Sequence, residues 1–275
     1  MTQITTSTLW GTSKKFIKSI LPPMLLNIVR HLRATSEKPT STDYEVIDAL
    51  VPDRVSELLK GWTSPIIPQI QQAAFDPLLR QMRAGNPRQD FVALATAMNM
   101  IGLANPLLIE VGCGSGWNRE VLACLWKRPF RYVGLDYSPG MTDLGKQRYP
   151  DTKFAVGDAT CLPFQDGACD ILLSGTVLMH LLGYQQAIWE SCRLTRQWCI
   201  FHTVPVLQHR KTTILSKKAY SQPTIEVIFN ERELYRLFEQ NRLVVRKVID
   251  SMPYNLESVL GEPTFNKTYL CQKIA

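Results

Sequence analysis

The sequence predicts an α/β protein built on a mostly parallel, seven-stranded sheet with helices on both faces and an antiparallel edge strand. Three observations predict it. From residue 107 onward, short apolar runs alternate with helical stretches. The first of these runs leads into a glycine-rich turn. The last two, Leu243–Ile249 and Thr268–Lys273, follow one another without a helix between them, so they pair antiparallel.

Taken in order, residues 1–40 form a basic amphipathic N-terminal extension. A polar Ser/Thr-rich start precedes Lys14 to Arg33, where cations flank an apolar run broken by Pro22 and Pro23. The uncharged run from Ser19 to Val29 is shorter than the ~20 residues that cross a bilayer. It also lacks a small-residue cleavage site. Segment 14–33 therefore either lies in the plane of an anionic membrane or packs on the protein's own core.

Residues 41–104 are read as a helical cap: short helices broken by Pro52, Pro65, Pro68 and Pro77, then a helix from Arg88 to Leu103. Residues 105–275 form the main domain. Its first five strands are Leu107–Val111, Tyr132–Leu135, Lys153–Val156, Asp170–Ser174 and Trp198–Thr203, with helices near Trp117–Trp126, Gly140–Arg148 and Gln185–Leu194. A helix at Glu231–Asn241 precedes the final strand pair.

The chain has 275 residues and a formal net charge of +7. That charge is localised: residues 1–40 carry a net +5, and Arg210, Lys211, Lys217 and Lys218 give the 205–225 insertion its basic character. A continuous basic track for nucleic acid is thus not expected. Seven unevenly spaced cysteines, several in apolar runs, fit reduced buried thiols and a cytoplasmic protein, with any membrane association peripheral to the inner face. Cys199 and His202 stand three apart on one strand and so point to opposite faces; no metal site is expected.

The run Leu107-Leu-Ile-Glu-Val-Gly-Cys-Gly-Ser-Gly116 is a strand, a tight turn and a helix start. Glycines serve where the backbone turns sharply or a ligand approaches too closely for a Cβ. Trp117 stands where a dinucleotide-binding turn needs its third glycine, which disfavours a nicotinamide oxidoreductase. Glu110 suits a cationic amino group better than a diphosphate. Asp136 ends the next strand, where an acid accepts hydrogen bonds from ribose hydroxyls, and Asp158-Ala159 ends the one after, near an adenine amino group. A lone Asp at a strand end is ordinarily a cap or turn residue. Three acids at successive strand ends are harder to explain so.

These runs, with YVGLDYSPGM and GDATCLPFQDGACDILLSGTVLMHL, resemble class I S-adenosylmethionine (SAM) dependent methyltransferases of the type 11, small-molecule branch, over about residues 107–203. The resemblance implies a Rossmann-like fold and SAM as cofactor. It implies that Glu110, Gly112, Cys113, Gly114 and Gly116 face the methionine moiety and that Asp136 with Tyr137 holds the ribose. Met141, Asp158 and Ala159 would surround the adenine, and Ser174 with Gly175 would close the site beneath the sulfonium. Cys169 stands where the family usually has Phe.

The reaction so implied is in-line methyl transfer, accelerated mainly by alignment, with a base needed for an alcohol nucleophile. His180 and His202 are the candidate bases, and His209 is an outside one. No Asn/Asp-Pro-Pro-aromatic motif follows the fourth strand, which disfavours methylation of an adenine or amide nitrogen. Thr203–Ser221 is expected to form a lid whose cations capture an acidic acceptor. The acceptor is read as a small molecule or glycan, methylated on oxygen. The Lys-rich Leu-Pro-Pro-Met-Leu-Leu segment is similar to methyltransferases of surface-polysaccharide synthesis. A lipid or quinone acceptor, or a non-catalytic SAM-binding subunit, is the alternative.

Overall fold

The computed structural model describes residues 41–47 and 52–274. The extension 1–40, with segment 14–33, lies outside the described residues. The strands are β1 (Ser41–Val46), β2 (Leu107–Val111), β3 (Arg131–Asp136), β4 (Lys153–Val156), β5 (Cys169–Gly175), β6 (Thr195–Leu207), β7 (Thr213–Ala219), β8 (Gln222–Asn230), β9 (Leu243–Met252) and β10 (Phe265–Lys273). The helices are α1 (Pro52–Lys60), α2 (Ile67–Arg83), α3 (Gln89–Asn99), α4 (Trp117–Val121), α5 (Pro139–Arg148), α6 (Tyr184–Leu194), α7 (Glu231–Gln240) and α8 (Glu257–Leu260).

The central sheet runs β4-β3-β2-β5-β6-β10-β9. Its first five strands are parallel, and β10 is antiparallel to both neighbours. The antiparallel strand therefore lies one place inside the edge, and β9 forms the edge itself. Burial on both faces explains the near-continuous apolar sequences of β2 and β5. One core cluster contains Ile109, Leu172, Ile188 and Phe201; another, holding α3 against the sheet, contains Phe91, Leu94, Met98 and Leu108.

Among the described residues ten strands form where seven are expected, and the extra three have a physical cause. Strand β6 continues past the end of β5 to Leu207, and the edge it exposes there pairs with β8 at Val206 and Leu207. β7 and β8 are a hairpin, and β1 adds to β7. The 205–225 insertion is thus largely sheet rather than loop, and the 41–104 region opens with a strand. The hairpin turns at Tyr220 and Ser221, with φ of 50° and 64°. Two left-handed residues suit a two-residue hairpin, yet neither is the Asn or Gly that would announce it. Pro77 sits within α2 without ending it. The face beyond it buries Leu79 and Met82, which offsets the missing backbone donor.

A buried ion pair ties this second sheet together. Lys217 of β7 meets Glu226 of β8, their side chains 5% and 0% exposed. Tyr254 donates to the other Glu226 oxygen at 2.7 Å, and the Lys217 ammonium lies 5.7 Å from the Tyr44 ring centre. Removing one partner of such a pair leaves an uncompensated charge. Lys217→Met is expected to cost about 3–5 kcal/mol in urea unfolding, and Lys217→Met with Glu226→Leu to recover most of it.

Candidate functional site

Strand register brings the sequence-selected residues to one rim. Val111 pairs with Leu135 and with Ser174, Asp136 with Val156, and Gly175 with His202. The carboxyl ends of β2, β3, β4 and β5 are therefore level, and His202 of β6 lies beside them. α/β sheets place their ligands outside this end.

The glycine turn is shaped by what surrounds it. Gly112, Gly114 and Gly116 have φ of 66°, 53° and 85°, which disfavours any side chain. A Cβ on Gly112 would lie 2.4 Å from Val177 Cβ, and one on Gly114 would lie 2.1 Å from the Trp117 ring. Trp117 itself stacks on Phe75 at 4.2 Å. The indole thus fills the space beneath the turn, and the turn presents backbone rather than side chains. Cys113 is buried below it, its thiol pushed up by burial.

Glu110 is completely buried. It accepts from Asn118 at 2.7 Å and from the Tyr132 hydroxyl. A Cβ on Gly175 would lie 2.1 Å from Glu110 Oε1. The carboxyl group therefore sits under the rim, joined to α4, β3 and β5. Burial pushes its pKa up to about 7, against the lowering effect of the two hydrogen bonds. Asn118 and Tyr132 have no motif of their own in the sequence; only proximity identifies them.

Asp136 joins the end of β3 to the turn. It accepts from Gly114 N at 2.8 Å and from Ser138 N at 2.9 Å. Burial raises its pKa and the two amides oppose the rise. Tyr137 beside it is 58% exposed, whereas Met141 is buried. Asp158 is exposed and caps its own turn, accepting from Thr160 N and Oγ1. Ala159 and Ser174 are buried.

The two histidines differ. His180 ends a 3₁₀ turn, Leu178–His180, three residues after the Val177 that touches Gly112. Its Nδ1 lies 3.1 Å from the Ile225 carbonyl of β8. A carbonyl only accepts, so Nδ1 carries the proton and Nε2 a lone pair. Burial, helped by Lys217, lowers its pKa to about 3, so the ring is neutral. Trp62 packs on it at 4.5 Å between ring centres, and Tyr220 lies 6.4 Å from Trp62. His202 is 2% exposed, with Nδ1 2.8 Å from Thr268 Oγ1, which in turn bonds Ser251. Burial lowers its pKa to about 4.

The insertion's cations are mostly engaged. Lys218 pairs with Asp43 at 3.0 Å, and Arg210 donates to the Leu260 carbonyl at 2.7 Å. His209 lies on a loop whose amides at 208–210 donate to Glu262. Among the described residues no three His, Cys, Asp or Glu side chains converge on a metal site, and no helix is long and apolar enough to cross a membrane.

A level rim, a glycine turn entering a helix and acids at successive strand ends define a nucleoside-binding α/β domain. Comparison narrows it: residues 109–201 match the family described as "Methyltransferase domain". This segment is a class I SAM-dependent methyltransferase domain of the type 11 branch. The chain is 35% identical over 89 residues to a demethylmenaquinone methyltransferase of Renibacterium salmoninarum, covering 32% of this chain and 36% of that protein. It is 33% identical over 90 residues to a malonyl-[acyl-carrier protein] O-methyltransferase of Serratia marcescens, covering 32% and 34%. The match thus spans about a third of these relatives' length. In fold it is similar to geranyl diphosphate C-methyltransferase from Streptomyces coelicolor, with a TM-score of 0.51, 16% identity, and coverage of 66% of this chain and 76% of that one.

Glu110 supplies a test of the rim's electrostatics. Its folded pKa lies above the unfolded value, so the protonated form favours the fold, and that stability is lost as pH rises from about 4.5 through 7. Glu110→Gln cannot ionise. Urea unfolding across that window should show the wild-type stability falling relative to the variant by about 2–3 kcal/mol.

Proposed function

We propose that the protein is a SAM-dependent methyltransferase acting on an oxygen of a small, largely uncharged acceptor. The observation that carries the reading is the level rim itself, which aligns the glycine turn with Asp136, Asp158 and the His180 turn. These residues fit the cofactor: the turn admits close backbone approach, Asp136 and Tyr137 suit the ribose, and Met141, Asp158 and Ala159 the adenine. Glu110 acts from below by holding Asn118 and Tyr132, not by direct contact. SAM, when bound, supplies an electrophilic methyl group on a sulfonium centre.

The chain's own residues then have two tasks. One is to hold the acceptor in line with that methyl. The other is to take a proton from an alcohol nucleophile. His180 suits the second task, because its Ile225 contact fixes a neutral ring with a lone pair on Nε2. His202, engaged with Thr268 on the β10 side, suits it less. An acidic acceptor is less favoured than the insertion's charge suggests, since Lys217 and Lys218 are ion-paired within the second sheet. The aromatic wall of Trp62, His180 and Tyr220 favours an aromatic ring or a sugar face.

Calorimetry should detect SAM binding to the wild-type chain and its loss in Gly114→Val; a wild-type chain that does not bind SAM sinks the reading. Tritium from labelled SAM should enter the lipid, glycan or small-molecule fraction of a cell extract. His180→Asn should lower that transfer by about 100-fold or more with SAM affinity kept, and His202→Asn by far less. For segment 14–33, peripheral contact with anionic membrane is the proposal. Flotation with phosphatidylglycerol vesicles should then fall when Lys14, Lys15 and Lys18 are replaced by Gln.

A further inference from the structure

Thr176 and Thr203 are β-branched residues held at φ of 60° and 53°. Left-handed backbone is unfavourable for such side chains, and such outliers persist only where their surroundings enforce them. Here two of them face each other where β5 ends beside β6. Thr176 follows Gly175 at the end of β5, and Thr203 follows the His202 that pairs with Gly175. Thr176 N donates to His202 O at 3.2 Å, and the two threonine hydroxyls are hydrogen-bonded to each other.

The direction of these bonds is determined. Thr203 Oγ1 donates to the His202 carbonyl at 2.8 Å, and a carbonyl can only accept. With its proton spent there, Thr203 must accept from Thr176. Both contacts are satisfied in no other way. Thr176 Oγ1 therefore has no proton to offer and presents lone pairs. Thr203 is 3% exposed, but Thr176 is only half-buried, so Thr176 is the more exposed residue of the pair. The next residue, Val177, touches the glycine turn, and His180 follows one turn later.

We propose that Thr176 selects and orients the acceptor, its hydroxyl oxygen receiving a hydrogen bond from the acceptor's aromatic hydroxyl in the bound complex, the proton passing to His180 Nε2 as that oxygen is methylated. This rests on the methyltransferase reading above and adds the substrate class: a nucleophile bearing a hydrogen, on the kind of ring that the wall of Trp62, His180 and Tyr220 favours. The Thr203 link withdraws the Thr176 proton, so an acceptor without a hydrogen to donate finds no complement there.

The test uses the full chain and two isosteric probes, 1-naphthol and 1-methylnaphthalene, titrated by fluorescence with and without SAM. Wild type should bind the naphthol about fivefold or more tighter than the hydrocarbon, the worth of one hydrogen bond. Thr176→Val keeps the β-branched shape without the hydroxyl and should bring the two affinities within about twofold. Thr176→Ser should restore the preference, and Thr176→Ala serves as the second hydroxyl-free variant should Val impair folding. Methyl transfer from labelled SAM to 1-naphthol should fall with the preference while SAM affinity holds. Equal wild-type affinity for the two probes overturns the assignment, as does a preference that survives in both hydroxyl-free variants. Loss of SAM binding alone overturns the methyltransferase reading and not this one, because the probe preference is measured without SAM as well.

Discussion

The buried carboxyl group of Glu110 is the constraint on which the rim of the sheet depends. It is removed from water in the middle of a parallel sheet, so every oxygen must find a donor or a proton. Asn118 and Tyr132 supply the donors, and in doing so they fix α4 and β3 against β2. The space it occupies is the space a Cβ would need at residue 175, so β5 must end in glycine there. One desolvated group thus ties β2, β3, β5 and α4 together just below the rim. The level rim follows, and the glycine turn and Asp136 inherit their positions from it.

A second polar group organises the added sheet in the same manner. Lys217 and Glu226 are buried as a pair, and Tyr254 completes the acceptor set. β8 then offers the Ile225 carbonyl to His180, so the hairpin determines which imidazole nitrogen is basic. The site is therefore composite. The central sheet brings the turn and the acids, the hairpin brings the tautomer and Tyr220, and the turn Gly61–Thr63 brings the Trp62 that packs on His180. In the insertion, Lys217, Lys218 and Arg210 are engaged within this architecture.

Much of the central domain was legible from the chain, because apolar periodicity and the glycine turn are local signals. The five parallel strands and the helices between them lie within a few residues of their expected ends. Pro77 and the hairpin were not legible. Nothing near residue 77 announces that burial of Leu79 and Met82 outweighs a missing donor. Tyr220 and Ser221 adopt left-handed backbone without the residue types that favour it.

What the sequence alone determined is the order of strands and helices, the turn chemistry at Gly112, Gly114 and Gly116, and the acids that close successive strands. Each depends on residues close together in the chain. Only the tertiary structure decided which oxygen of Glu110 meets which donor, which nitrogen of His180 is free, and which threonine of a facing pair donates to the other. Those are settled by groups tens of residues apart, where burial leaves each polar atom a single available partner.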